Sequence, residues 1–295
     1  KKTVIFAMEE PEIAIPPATQ KRIVDGVRSR SSQALFTSHS PYVLEEFHPS
    51  EIMCLQRDGA GKLTGKPIVF PAHIKPKAYS SEFRLRFAEA LLARRVLVAE
   101  GDTEAIAYPA AARRLAELEP ATYASLEALG IAVFNARTDS QVAGYGAFFR
   151  SLGKTIYAVF DKQADTAKLA AINAAVDHAY EAPTKGFEKL LLDETAEPAL
   201  RRFAATLVSD GEWPGHLSKQ TPQSTTPLAD LKTALLQYFN WAKGRGGAAD
   251  LLATCSVAEM PATVKAVLAA IKVAATPPVS GAAPANSGSP IPPPP

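Results

Sequence analysis

Between residues 96 and 182, short unbroken apolar runs alternate with longer helical stretches, and this alternation constrains the fold more than any other feature of the chain. Val96-Leu97-Val98-Ala99, Ile131 to Phe134 and Ile156 to Phe160 lack the polar–apolar alternation of a half-exposed strand. They read as strands buried on both faces. Residues 103–117, 139–151 and 165–177 carry helical patterns between and after them, and a further short strand is expected at 179–182. Strands that alternate with helices imply an α/β fold with a mostly parallel sheet flanked by helices. Phe83, Phe87, Leu91 and Leu92 mark a preceding helix over 80–94, and 197–208, 227–242 and 261–274 read as helices beyond the sheet.

Open α/β sheets place ligands at the carboxyl ends of their strands. The first run delivers Glu100 there, and Gly101 permits a tight turn. With a helix starting near Thr103, Glu104 falls on its first turn close to Glu100, and Asp102 is expected to cap it. The run ending at Phe160 delivers Asp161, and Glu188 follows the last short strand. Four carboxylates at one edge repel each other unless cations neutralise them. An all-oxygen set of this kind suits Mg2+ or Mn2+. Two such ions, about 3.5–4 Å apart, clamp a scissile phosphate, activate water and stabilise the departing oxygen. No Ser-His-Asp or Cys-His set competes with this reading, and no tyrosine context singles out a strand-transfer nucleophile. A nearby cation stabilises charge in the transition state, and Lys243 in Trp241-Ala242-Lys243-Gly244-Arg245-Gly246-Gly247 is the best candidate. Lys162, Lys185 and Arg245 are candidates for contacts to DNA phosphates.

Residues 94–192 resemble the Toprim domain shared by topoisomerases, bacterial primases, small nucleases and proteins of the OLD (overcoming lysogenization defect) family. Glu100-Gly101 matches the glutamate-glycine motif. The later Asp-x-Asp motif reads Asp161-Lys162-Gln163, so an amide stands where the second acid is usual, and whether Asp165 compensates is left open. Glu104 and Glu188 resemble the additional acids of the OLD version, and Lys243 resembles a functional lysine of its helical C-terminal region.

The N-terminal part holds a second constellation. The apolar run Val4 to Met8, expected to be a buried strand, delivers Glu9-Glu10-Pro11-Glu12. A helix over 17–30 and a strand over 34–37 lead to Ser38-His39-Ser40-Pro41 and a helix near 41–47. Strands at 52–56 and 67–70 are expected around the turn Asp58-Gly59-Ala60-Gly61. Adjacent acids at a strand end can hold magnesium and activate water against a nucleotide phosphate, and a histidine beside them can sense the terminal phosphate. Glu9, Glu10 and His39 thus resemble the Walker B and switch-histidine segments of ABC-type ATPases, in the form typical of OLD proteins. No GxxxxGK[ST] loop occurs, and Gly61-Lys62-Leu63-Thr64 lacks its preceding pattern, so no phosphate cradle is present. ATP is therefore expected to matter only in a full-length protein. The abrupt start inside an apolar run reads as a fragment whose N-terminal portion has been removed.

The resulting partition is 1–78 as the end of an ABC-type ATPase domain, 79–93 as a connecting helix and 94–192 as the Toprim core. Residues 193–275 form a helical segment completing the catalytic region, and 276–295 a Pro/Ala-rich tail. The 295 residues suit two modest domains, and 47% hydrophobic with 21% charged residues is ordinary for a globular protein. A net charge of +2 requires any nucleic-acid contact to come from a local patch. Cys54 and Cys255 form no CxxC, which argues against a zinc ribbon and a disulfide framework. No apolar run approaches the roughly 20 residues of a membrane span.

The expected function is a metal-dependent DNA endonuclease or nickase of low sequence preference. Another Toprim enzyme, RNA-processing or primase-like, and a degenerate Toprim scaffold are the alternatives. The resemblance further implies ATPase regulation, a homodimer through the ATPase domain, a UvrD-like helicase partner, and a bacterial cytoplasmic role in phage defence.

Overall fold

A computed structural model describes residues 4–57, 60–69 and 81–276. The N-terminal part contains two separate two-stranded sheets. β1 (Ile5–Glu9) and β2 (Gln33–Thr37) run parallel, joined by α1 (Pro17–Arg28). α2 (Pro41–Leu44) leads to the antiparallel hairpin of β3 (Met53–Arg57) and β4 (Leu63–Pro67). Two expectations change here. β1 is not buried: Ile5 is 64% exposed, and Leu35 on the neighbouring β2 is 56% exposed. An apolar strand is buried only when layers cover both faces, and among the described residues this two-stranded sheet lacks that cover. The hairpin's second strand begins at Leu63 rather than Pro67, because Gly65 and Lys66 pair with Leu55 and Cys54 in register. Asp58, Gly59 and Phe70, and the tail beyond Thr276, lie outside the described residues.

α3 (Ser81–Leu92) leads into the main sheet. Its strands are β5 (Arg95–Ala99), β6 (Ile131–Asn135), β7 (Thr155–Phe160) and β8 (His178–Glu181), all parallel, in the order β6-β5-β7-β8. The connections are α4 (Asp102–Leu118), α5 (Asp139–Ser151) and α6 (Thr166–Ala175). Side chains alternate across each strand, so β5 sends Leu97 and Ala99 to one core and Val96 and Val98 to the other. β7 does the same, with Tyr157 and Val159 opposite Ile156, Ala158 and Phe160. Both faces are dry, which explains the continuous apolar runs.

One core is aromatic. Phe83 and Phe87 of α3 pack on Phe134 of β6, which also meets Tyr145 and Phe149 of α5 at ring separations of 4.5 and 5.1 Å. Buried Ile68 joins this cluster, Gln56 bonds the Leu152 carbonyl and Lys66 donates to the Ser151 carbonyl at 2.8 Å, so the β3–β4 hairpin docks on the same layer. The other core is built by α4 with α7 (Phe187–Glu194), α8 (Glu197–Ser209), α9 (Leu228–Trp241), α10 (Gly247–Thr254) and α11 (Ala262–Ala275). The short helices α7 and α10 escape a reading by period. The C-terminal helices therefore complete one face of the sheet, rather than forming a separate core.

Candidate metal-binding edge

The site is assembled where the parallel strands end. Glu100 follows β5, its amide bonded to the Val159 carbonyl at 3.1 Å. Asp161 follows β7, and its amide donates to Glu100 Oε2 at 2.9 Å. Asp161 Oδ2 in turn accepts from the Gly186 amide at 2.7 Å. Gly186 adopts φ +91°, a left-handed conformation that suits glycine, and so aims its amide back at the strand end. The next turn starts α7 and carries Glu188 into the same region. There Glu188 Oε1 accepts from the Thr103 hydroxyl at 2.7 Å and faces Lys243 Nζ at 3.3 Å. Glu104, buried on the first turn of α4, lies against Gly101: a Cβ added to that glycine would stand 3.0 Å from Glu104 Oε2.

The electrostatics follow from this crowding. Glu104 rises from 4.5 to about 7, through burial first and then the charges of Asp161, Glu188 and Glu100. Burial raises Glu100, opposed by the Asp161 amide bond and reinforced by the charges of Asp161 and Asp139. Asp161 is also raised by burial; the Gly186 amide opposes the shift, Glu188 adds to it, and Lys243 and Lys185 moderate it. Burial works to lower Lys243, but Glu188, Glu104 and Asp161 outweigh it and the net shift is upward. The four expected carboxylates and Lys243 thus share one rim.

These side chains do not stand as a ready-made cage. Among the described residues, no three His, Cys, Asp or Glu side chains form a group that could hold a metal ion. Each carboxylate of known partner is bonded to its own donor: an amide for Glu100 and Asp161, a hydroxyl and an ammonium for Glu188. The donor chemistry nevertheless fits a divalent cation: an all-oxygen set, partly desolvated, whose members push one another toward protonation.

Other expected residues fall as follows. Asp102 does not cap α4; Gly101 holds that position, and Asp102 accepts from Asn135 Nδ2 instead. The helix begins one residue earlier than its pattern suggests, which frees the aspartate to bridge to β6. Asp165 caps α6 through the Ala167 and Lys168 amides, and Gln163 turns back to its own strand end, bonding the Asp161 carbonyl at 2.9 Å. Lys162 pairs with Glu181 at 3.0 Å, while Lys185 acts on Glu100, Asp139 and Asp161. Arg245 lies over the Trp241 ring. Sequence reasoning overlooked Asp139, which opens α5 just beyond β6 on the same rim, pairs with Lys168 at 2.8 Å and acts on Glu100. Its signal was weaker: an acid on the first turn of a helix, four residues after a strand ends.

Glu9, Glu10 and His39 gather elsewhere. Glu9 ends β1 opposite Thr37, and Glu10 Oε1 lies 3.8 Å from His39 Nε2. His39 borders a cleft with Arg94, Arg95, Gly130 and Ile131. Those residues start β5 and β6, so this cluster sits at the opposite edge of the sheet, about 15 Å along the strands from the carboxylates.

Residues 91–162 match the family described as "Overcoming lysogenization defect protein-like, TOPRIM domain". That stretch is therefore similar to the Toprim domain of OLD-like proteins. No match is found among curated proteins. Similar solved structures include the C-terminal region of the Burkholderia pseudomallei OLD protein, with 19% identity over 62% of this chain and 99% of that one, at a TM-score of 0.44. The C-terminal region of the Xanthomonas campestris pv. campestris OLD protein shows 20% identity over 63% and 96%, at a TM-score of 0.45. Among the described residues no helix is long and apolar enough to cross a membrane.

Proposed function

We propose that the rim formed by Glu100, Glu104, Asp161 and Glu188 hydrolyses DNA phosphodiester bonds with two Mg2+ or Mn2+ ions, as an endonuclease or nickase. The observation that carries this reading is the meeting of acids from the ends of β5 and β7 and from α4 and α7 around Lys243, with Glu100, Glu104 and Asp161 inside the stretch similar to the Toprim domain. Bound divalent ions would supply Lewis-acid stabilisation and a water of lowered pKa. The carboxylates would hold them, Glu104 only once deprotonated. The Gly186 and Asp161 amides keep two of the acids oriented. Lys243 would offset charge developing on the phosphate, and Lys185 and Lys162 would contact flanking phosphates.

Plasmid incubated with Mg2+, Mn2+ or chelator tests the reading, with RNA of matched length beside it. Metal-dependent cleavage of DNA supports it, and cleavage of RNA alone would point to an RNA-processing enzyme. Gln163, in place of a second aspartate, favours a binding scaffold as the second reading; no cleavage of either polymer would support that. We further propose that Glu9, Glu10 and His39 belong to an ATPase domain that regulates cleavage in a longer protein and pairs it into a dimer, with a helicase as a partner. Their place at the opposite sheet edge is consistent with regulation from a distance rather than a share in the chemistry.

A further inference from the structure

The turn that carries Lys243 also sets a cation over an exposed aromatic ring. Trp241 ends α9 and is 38% exposed, a large aromatic left at the surface. The Arg245 guanidinium carbon lies 4.6 Å from its ring centroid, and His216 and Tyr238 flank the indole at 5.8 and 6.0 Å. The Arg245 amide bonds the Ala242 carbonyl at 2.7 Å, and Gly244 and Gly246, at φ +75° and +98°, reverse the chain so that Arg245 returns over Trp241. Among the described residues Arg245 forms no ion pair, so its charge is not spent on a carboxylate.

The same turn is tied to the acidic rim by Lys243 and runs close to Asp102. Lys243 reaches Glu188 at 3.3 Å, and a Cβ on Gly244 would lie 3.7 Å from Asp102 Cβ. The Arg245–Trp241 pair therefore sits beside the carboxylates. A guanidinium laid on an indole presents a planar, positively charged surface to a further π system. Bases inside a duplex have both faces covered, whereas an unpaired base has faces to offer, and aromatic–base stacking is the usual means of holding single strands.

Resting on the nuclease reading, we propose that Trp241 and Arg245 stack an unpaired base of the strand whose phosphate lies at the carboxylate rim, so that the site takes single-stranded DNA in preference to duplex. The test uses the whole chain in chelator, which separates binding from cleavage. A labelled oligodeoxythymidine and a duplex of the same length are titrated, and anisotropy and tryptophan emission are read. Trp241→Leu should weaken single-strand binding about tenfold, leave duplex binding unchanged and abolish most of the quenching by the oligonucleotide. Trp241→Phe should retain most of the affinity. Arg245→Lys, which keeps the charge but loses the plane, should weaken the single strand alone and guards against a misfolded Trp241→Leu. Single-strand affinity unchanged in both Trp241→Leu and Arg245→Lys, or equal losses for both DNA forms, would overturn the proposal. Cleavage with metal is scored separately: a protein that discriminates single strands yet never cuts retains the role of the Arg245–Trp241 pair and loses the nuclease reading.

Discussion

Lys243 Nζ lies 3.3 Å from Glu188 Oε1, the same oxygen that accepts from the Thr103 hydroxyl at 2.7 Å. An internal cation thus already compensates one acid of the rim. If Lys243 serves the phosphate, it competes with metal for Glu188 until substrate draws it away. Lys243→Met should lower the cleavage rate about 100-fold, as loss of a transition-state donor does. It should also tighten Mn2+ binding, measured by calorimetry, because a neighbouring positive charge is gone. Weaker metal binding in this variant would contradict the competition.

Glu104 gives the site a pH dependence. Its pKa is raised from 4.5 to about 7, so at lower pH it carries a proton and cannot hold a cation. Metal affinity and cleavage should climb through neutral pH, and Glu104→Gln should flatten the profile. Without metal, the folded state binds this proton more tightly than the unfolded one. The group's contribution to stability is therefore present below pH 4.5 and is lost as pH rises to about 7. Thermal unfolding in chelator should show that loss, and added Mg2+ should offset it most on the alkaline side.

Gly101 stands against Glu104. Its φ of −138° is open to any residue, so Gly101→Ala should fold. The new methyl would lie 3.0 Å from Glu104 Oε2 and displace that carboxylate. Calorimetry should show a several-fold loss of Mn2+ affinity with an unchanged circular dichroism spectrum.

The aromatic layer sets stability rather than chemistry. Phe134 is fully buried and touches Phe83, Phe87, Tyr145 and Phe149. Phe134→Ala should cost about 3–5 kcal/mol in urea unfolding. A loss under about 1 kcal/mol would mean that the layer is loosely packed.

What could be read from the amino acids follows a physical divide. β5 and β7 are legible because both faces are dry and their apolar runs are unbroken; β6, at the sheet edge, keeps the apolar run although Ala132, Val133 and Asn135 are only partly buried. Acids directly after such strands, Glu100 and Asp161, inherit that legibility from the sheet. β1 misleads, since the same run of apolar residues is largely exposed among the described residues. Asp102 misleads because a one-residue change in helix start converts a cap into a bridge to Asn135. The Lys243–Glu188 pair spans distant segments, and only the packing of α9 and α10 against α4 and α7 brings it together.

Supercoiled plasmid cleavage with Mn2+ shows whether carboxylates from separate segments hold cations against a phosphodiester. Wild type should convert plasmid to nicked or linear DNA, while Glu100→Gln and Asp161→Asn, folded by circular dichroism, should leave it supercoiled. Equal cleavage by those variants and wild type would contradict the assignment.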